Sequence, residues 1–475
     1  MKIRFLGAAG GSVTGSCSVL ETKDCRVMID CGLFQGESKA DEKNADVESL
    51  DWKGIVGVIV THAHIDHVGR LPLLTKAGFS GPLWATPATC DLAPIMLKDA
   101  GHLQEADAER QTRKALARGG KPVAPLFTEN DAQKAAALFR PVPLDEWKQI
   151  NPNIRFRFRE AGHILGSASI EIEVVEDGVT KRIAWAGDIG QRGVPLMRDP
   201  VPPFSDGGGV PDLVVMESTY GDRDHRPFAE TLTELERILR EAVWSKEKVL
   251  IPAFAVGRTQ LLLSVLHDLA DSGRVPRFPI YLDSPMGIAA TKLYNIHCKT
   301  LDEEAACDCH SGDSPMDAPG LILTPTPQES RALNEKRGAS VIIAGSGMAT
   351  GGRIVHHLFQ NLPKPDASVL IVGYQGQGTL GRRLVDGEKT VKIFGEIVPV
   401  RAKVYTIGGL SAHGGQSDLV WWAGSVIGNG KADGTKPRFI LTHGEDGPRR
   451  ALAQKLSEVF GVSVALPAME EVIEL

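Results

Sequence analysis

Three histidines and one aspartate fall within six consecutive positions of this chain, His62-Ala63-His64-Ile65-Asp66-His67, directly after the apolar run GIVGVIV. Imidazole nitrogens and carboxylate oxygens are the donors that zinc and similar cations take. At a strand-to-helix turn this group can converge on one or two cations, which no packing requirement explains. Surface histidines on a loop would not cluster this way in a chain with only 13 histidines. Three more candidate ligands sit at strand ends followed by glycine: His163 in AGHILGSAS, Asp188 in WAGDIG and His443 in LTHGEDG. A strand that carries a His or Asp to its C-terminal edge and then turns presents that side chain to a cleft. Singly, each is more readily a turn residue. Together with the HxHxDH cluster they form a set of candidate metal ligands.

Two other segments could hold an anion. The glycine-rich GSGMATGGR follows the apolar run SVIIA and opens the helical stretch IVHHLF. Backbone N–H groups at such a turn attract anions, which makes Ser346, Gly347, Met348 and Thr350 candidates for a phosphate. Arg258, in the helix-opening FAVGRTQ, is a second phosphate candidate, the alternative being a surface salt bridge worth little. Tyr374 in GYQ fits base stacking and a buried turn position equally. His297-Cys298 with Cys307-Asp308-Cys309-His310 has a spacing that permits an accessory metal site. It lacks regular C-x2-C pairing, so free thiols in a polar loop over Asp302–Pro319 are the plainer reading.

Two styles of scaffold must hold these residues. Residues 1–65 read as short strands between turns, the stretch from Thr86 to about Ala117 carries helix formers, and Thr128-Glu129-Asn130-Asp131 caps another helix. IRFRFRE, SASIEIEVVE, KRIAWAGDIG and PDLVVMEST then return to strand. From Phe228 longer helices alternate with isolated apolar strands such as KVLIPAF, ASVIIAGS and ASVLIVGY, the mark of a parallel sheet covered on both faces. Near Val398 the β-rich style resumes. The expected organisation is therefore 1–220 and 398–475 as one domain, with 221–397 inserted as another. At 475 residues the chain exceeds what one hydrophobic core supports.

The balance of 53 basic against 59 acidic residues gives -6, which argues against a coat of positive potential, so an acidic substrate needs a local site. No apolar run is long enough to cross a bilayer, and the start MKIRFLGAAGG lacks a signal-peptide pattern. The seven cysteines (Cys17, Cys25, Cys31, Cys90, Cys298, Cys307, Cys309) are an odd number that suits a reducing compartment. The expectation is a cytoplasmic protein with no membrane partner.

Taken together, the motifs resemble the metallo-β-lactamase superfamily and, within it, the β-CASP nucleases. HAHIDH is similar to the superfamily signature, while GHILGSA, WAGDIG, ESTYG, IPAFAVGRTQ, LDSPMG, GSGMATGGR, GYQGQGTLGRR, LSAHGGQSDL and LTHGE resemble β-CASP blocks in family order. The resemblance covers almost the whole chain. It implies an α/β fold, an αββα metallo-β-lactamase sandwich with an inserted α/β β-CASP domain. It also implies two zinc ions, one held by His62, His64 and His163, the other by Asp66, His67 and His443, with Asp188 bridging them. The family's acidic motif falls on Glu217 of MESTYG, its second motif on His413 of LSAH and its third on His443. A histidine at the third motif is what RNA-directed members resemble.

The implied function is a zinc-dependent ribonuclease that cuts single-stranded RNA through a metal-bridging hydroxide, in RNA processing or degradation. Asp66, Glu217 and His413 would be the catalytic residues, with His413 as general acid supported by Glu217. Without the resemblance, Glu217 reads as a strand-end carboxylate paired with an arginine. Ser411 could donate to the scissile or an adjacent phosphate. Endo- and exonuclease action both fit, as does a homodimer. Two other readings compete: a non-catalytic RNA-processing scaffold, opposed by the complete ligand set and His413, and a small-molecule thioester or lactam hydrolase. An inserted domain of roughly 180 residues suits a polymer better than a small substrate.

Overall fold

The computed structural model describes residues 1–36, 39–311, 314–428 and 434–474. It divides into two compact units, one of Met1–Arg192, Asp199–Asp224 and His413–Leu475, the other of Gly193–Arg198 and His225–Ala412.

The first unit is built on two seven-stranded sheets. One runs in the order Val472–Glu474, Lys2–Phe5, Ser18–Glu21, Arg26–Ile29, Ile55–Ile59, Leu83–Ala85, Phe139–Pro141, and the other Val464–Ala465, Arg438–Leu441, Leu213–Met216, Val179–Trp185, Ala168–Glu176, Ile154–Glu160, Lys148–Asn151. Strand alternation decides what faces inward. In IRFRFRE, Ile154, Phe156 and Phe158 are buried while Arg155 is exposed. These rings pack in one cluster with Ile3, Phe5, Leu20 and Ile29 of the other sheet, so the main core lies between the sheets. Helices Gln416–Ile427 and Asp446–Phe460 cover the far side of the second sheet, with Leu419, Trp422, Leu452 and Leu456 against Ala184, Val214 and Met216. The expected helix after Thr86 spans Pro87–Leu116, with the Thr86 side chain capping Thr89 N. The capping box at Thr128 and Asp131 opens helix Glu129–Ala136.

The second unit holds a six-stranded parallel sheet in the order Leu321–Leu323, Ile280–Leu282, Ser340–Ala344, Lys248–Pro252, Ala367–Ile371, Lys403–Thr406. KVLIP and SVIIA are buried at every position, as a central parallel strand requires. Two readings need correction. Lys403–Thr406 pairs in parallel with Ala367–Ile371, so it belongs to this sheet, and the chain re-enters the first unit at His413, not near Val398. As an edge strand it is only half covered, which gives it the mixed polarity of the first unit's strands. The stretch expected as a polar loop contains helix Glu303–Ser311, whose start is held by Asp302 Oδ1 accepting from Ala305 N at 2.8 Å. The architecture is thus an αββα sandwich carrying an inserted α/β domain. Among the described residues no helix is long and apolar enough to cross a membrane.

Candidate metal centre

The HxHxDH segment wraps the turn from strand Ile55–Ile59 into the four-residue helix Ile65–Val68, with His64 at the helix N-cap and Asp66 and His67 inside it. The other residues come from the second sheet. Strands Ile154–Glu160, Val179–Trp185, Leu213–Met216 and Arg438–Leu441 run the same way, so their C-terminal ends share one edge and deliver His163, Asp188, Glu217 and His443 to it. The backbone of His443 is left-handed, at φ 49. Gly444 follows it where a Cβ would meet Ser218 Oγ at 2.3 Å, so only glycine lets these two strand exits approach.

Donor atoms of His62, His64, His163 and Asp188 lie within 4.8 Å of one another, as do those of Asp66, His67 and His443. His64 Nδ1 is 3.1 Å from both His62 Nε2 and His163 Nε2. Nitrogens about 2.05 Å from a tetrahedral ion stand roughly 3.3 Å apart, so these edges have the size such an ion needs. In the second group His67 Nε2 and His443 Nε2 face each other at 3.3 Å, and Asp66 Oδ2 is 3.5 Å from His443. Asp188 lies between the groups. Its Oδ2 is 3.4 Å from His62 Nε2, 3.4 Å from His67 Nε2 and 3.6 Å from His163 Nε2, and its Oδ1 is 3.7 Å from His443 Nε2.

The electrostatics divide the histidines into two kinds. Burial holds His62 well below the usual imidazole range and pulls His64 down to about 4, so both rings are neutral and carry a lone pair. Burial opposes charge on His67 and His443 as well, but Asp188 and the carboxylates beside it raise both. Despite their own burial, Asp66 and Asp188 are driven down by the histidines around them. Asp188 Oδ1 is buried with no hydrogen-bond partner among the described residues. The neutral nitrogens of His62 and His64, two ionised carboxylates and an orphaned buried oxygen are donors that divalent cations satisfy, and the carboxylates that draw protons onto His67 and His443 would draw a cation in the same way.

Two further shells support the group. Asp30, which the sequence reading passed over, accepts from His67 Nδ1 at 2.8 Å, Thr61 N at 2.8 Å and Thr61 Oγ1 at 2.8 Å. It orients the ring so that Nε2 faces Asp188. The signal was present in VMIDCG, a buried strand followed by Asp and, two residues on, Gly, the same pattern that marked Asp188 in WAGDIG. Thr219 Oγ1 holds His443 Nδ1 at 3.2 Å. Beside the cluster, Glu217 accepts from Ile189 N at 2.6 Å and places both carboxylate oxygens 3.1 Å from His413 Nδ1. Burial resists a charge on His413, but Glu217 raises its pKa to about 9.

The anion-binding candidates all fall in the second unit. Ser346 N donates to Gly351 O at 3.3 Å and Thr350 N to Ser346 Oγ at 3.0 Å, so those two amides close the loop on itself and the expectation narrows to Gly347 and Met348. Arg258 is not a surface residue. It is buried at the start of helix Arg258–Asp271 and donates through Nη1 to Val372 O at 2.8 Å. Ser411 is buried in the last stretch of this unit, and Tyr374 is 45% exposed. Cys298, Cys307 and Cys309 are free thiols, and no metal-binding group among the described residues includes them or His297. The side chain of His310 lies outside the described residues.

Family models match in order along the chain: the metallo-beta-lactamase superfamily over residues 10–253, the Beta-Casp domain over 259–384 and the Zn-dependent metallo-hydrolase RNA specificity domain over 397–467. A ribonuclease of Thermus thermophilus is 39% identical over 472 residues, 99% of each chain. The transcription termination factor FttA of Methanocaldococcus jannaschii is 32% identical, over 98% of this chain and 70% of its own length. An RNase J-like protein of the same organism is 30% identical over 97% of this chain and 96% of that one. A crystal structure of a protein of unknown function from Enterococcus faecalis V583 superposes with a TM-score of 0.55 at 12% identity, covering 100% of this chain and 99% of that one, a likeness of fold alone. With the donor cluster, these matches make the chain a metal-dependent hydrolase. It belongs to the metallo-β-lactamase superfamily, in its β-CASP branch.

Proposed function

We propose that this hydrolase is a two-zinc ribonuclease of the cytoplasm that cleaves single-stranded RNA. The observation that carries the reading is Asp188, a buried carboxylate set between two groups of imidazoles with one oxygen unpartnered among the described residues. His62, His64 and His163 would hold one ion, Asp66, His67 and His443 the other, and Asp188 both. When bound, such ions lower the pKa of water and offer positive charge to a phosphodiester oxygen. His413 keeps a proton because the Glu217 carboxylate faces its Nδ1, and its other nitrogen gives that proton to the departing 3′-oxygen. The RNA specificity model over 397–467 and the relative named as a ribonuclease support RNA as the polymer.

A flexible single strand can adjust to a recessed site, whereas an A-form duplex is rigid and would have to be melted at a cost of a few kcal/mol. The test is a time course on 5′-labelled and 3′-labelled single-stranded RNA, with a blunt duplex of the same sequence alongside. We expect cleavage of the single strand that a chelator stops and zinc restores, and slow cleavage of the duplex. Equal rates on both substrates, or hydrolysis of a thioester with RNA left intact, would overturn the reading.

A further inference from the structure

In the second unit, three loops leave the C-terminal ends of three adjacent parallel strands: 253–257 after Lys248–Pro252, 345–351 after Ser340–Ala344 and 372–378 after Ala367–Ile371. Ligands of open parallel sheets bind outside the carboxyl ends of the strands. Two aromatic rings stand there half in solvent, Phe254 at 42% and Tyr374 at 45% exposure. A ring kept for packing is covered, as Tyr294 is at 0%.

The Phe254 ring and the backbone of Tyr374 are held by their surroundings. A Cβ on Gly347 would fall 2.6 Å from Phe254 Cδ2 and 2.7 Å from Cε2, so glycine at 347 is what lets the ring rest against that loop. Thr259 Oγ1 donates to Phe254 O at 2.7 Å and fixes its backbone. The carboxamide of Gln375 then ties the other two loops together, with Nε2 3.0 Å from Gly347 O and 2.9 Å from Tyr374 O. The buried Arg258 guanidinium ties the first loop to the third through Val372 O. An exposed aromatic that the fold immobilises loses little entropy when a flat ligand covers it, and every nucleobase offers a π-face.

We infer that Phe254, with Tyr374 on the loop of the adjacent strand, forms a base-stacking platform for single-stranded RNA, an inference that rests on the ribonuclease reading. The platform selects for the presence of bases, not their identity, since stacking is tolerant of sequence. Its neighbour Gly347 is one of the two loop residues left as phosphate donors, so base and backbone would be met side by side.

The experiment measures binding of a short single-stranded RNA and of an abasic strand with the same backbone, in a His413→Ala background that slows cleavage. We expect the chain to prefer the base-bearing strand, and Phe254→Ala and Phe254→Leu to weaken that strand by roughly 5- to 100-fold while leaving the abasic strand and the salt slope unchanged. Phe254→Trp should restore the preference. Leucine keeps most of the contact on Gly347 without the π-face, so it carries the test if the alanine variant misfolds. Equal binding of the two strands by the parent chain, or a leucine variant as tight as the parent, overturns the platform. If the parent chain binds neither strand and wild type cuts no RNA, the ribonuclease reading falls with it. If wild type cuts RNA but bases make no difference, only the platform falls.

Discussion

Two buried aspartates, Asp188 in the first unit and Asp283 in the second, both sit just after a strand and both face histidine, yet they are in opposite states. Asp283 accepts from Ser330 Oγ at 2.6 Å, Arg353 Nη1 and His357 Nε2 at 2.7 Å and Thr324 Oγ1 at 2.9 Å. The other nitrogen of His357 lies 3.0 Å from Asn334 Oδ1, so the network closes. Around Asp188 the imidazoles stand off, the nearest at 3.4 Å, and one carboxylate oxygen has no hydrogen-bond partner among the described residues. A buried His and Asp in company therefore do not define a metal site. What defines it is a carboxylate that the protein's own donors leave open.

Asp188→Asn tests the open side of this contrast and carries the largest expected effect. A neutral amide is a poor bridge between dications, so both metal occupancy and cleavage should be lost, read by elemental analysis of dialysed protein and by RNA turnover. Wild type should carry two zinc ions per chain; fewer than one would show that the open cluster is not a metal site. His413→Ala comes next. If the residue donates a proton and holds no ion, as proposed, the cleavage rate should fall by roughly 10²–10⁴ in kcat with KM and zinc content retained. Loss of zinc in this variant would make His413 a ligand and redraw the boundary of the cluster. Asp30→Asn, which loosens the orientation of His67, should cost about 10–100-fold in metal affinity.

The sequence made the open cluster legible and the closed one nearly invisible. His62, His64, His67, His163 and His443 stand out because imidazoles are sparse and end strands, and the family blocks run in order through the chain. Asp283 lies in the block LDSPMG, but its partners Thr324, Ser330, Arg353 and His357 are scattered and meet only in three dimensions. The burial of Arg258 was hidden for the same reason: a charge next to glycine gives no sign of its acceptor, a carbonyl of another strand end. The strand Lys403–Thr406 was assigned by its polarity to the wrong domain, since an edge position in a parallel sheet and a half-buried position in a sandwich leave the same pattern. The α/β class and the insertion were readable because continuous apolar strands and alternating ones differ in period.

Asp283→Asn should separate the two clusters. It leaves the Arg353 guanidinium without its countercharge in a buried network, and breaking such a pair costs about 3–5 kcal/mol. Denaturant unfolding should show that loss while elemental analysis shows unchanged zinc. A fall in zinc would mean that the two clusters are coupled and that Asp283 is not purely part of the fold.

The smallest expected effect lies at the margin of the closed network, at Lys248. Its strand position is buried and its Nζ donates to Leu333 O at 2.7 Å, next to Asn334, whose side chain completes the His357 contact. Burial, helped by the nearby charge of Lys364, lowers its pKa to about 8. The sign of the stability change follows from proton counting. Above that value the folded chain has released the proton, whereas the unfolded chain, with an ordinary lysine, still holds it. The unfolded state binds more protons in this window, so stability rises with pH there; below it both states are charged and the folded state bears the full cost of burying the ammonium. Lys248→Met removes the titration. The stability of wild type relative to the variant should therefore grow between about pH 7.5 and about pH 10, read as the difference in denaturant midpoints. Parallel pH curves for the two proteins would show that water reaches the ammonium, and that the closed network ends before residue 248.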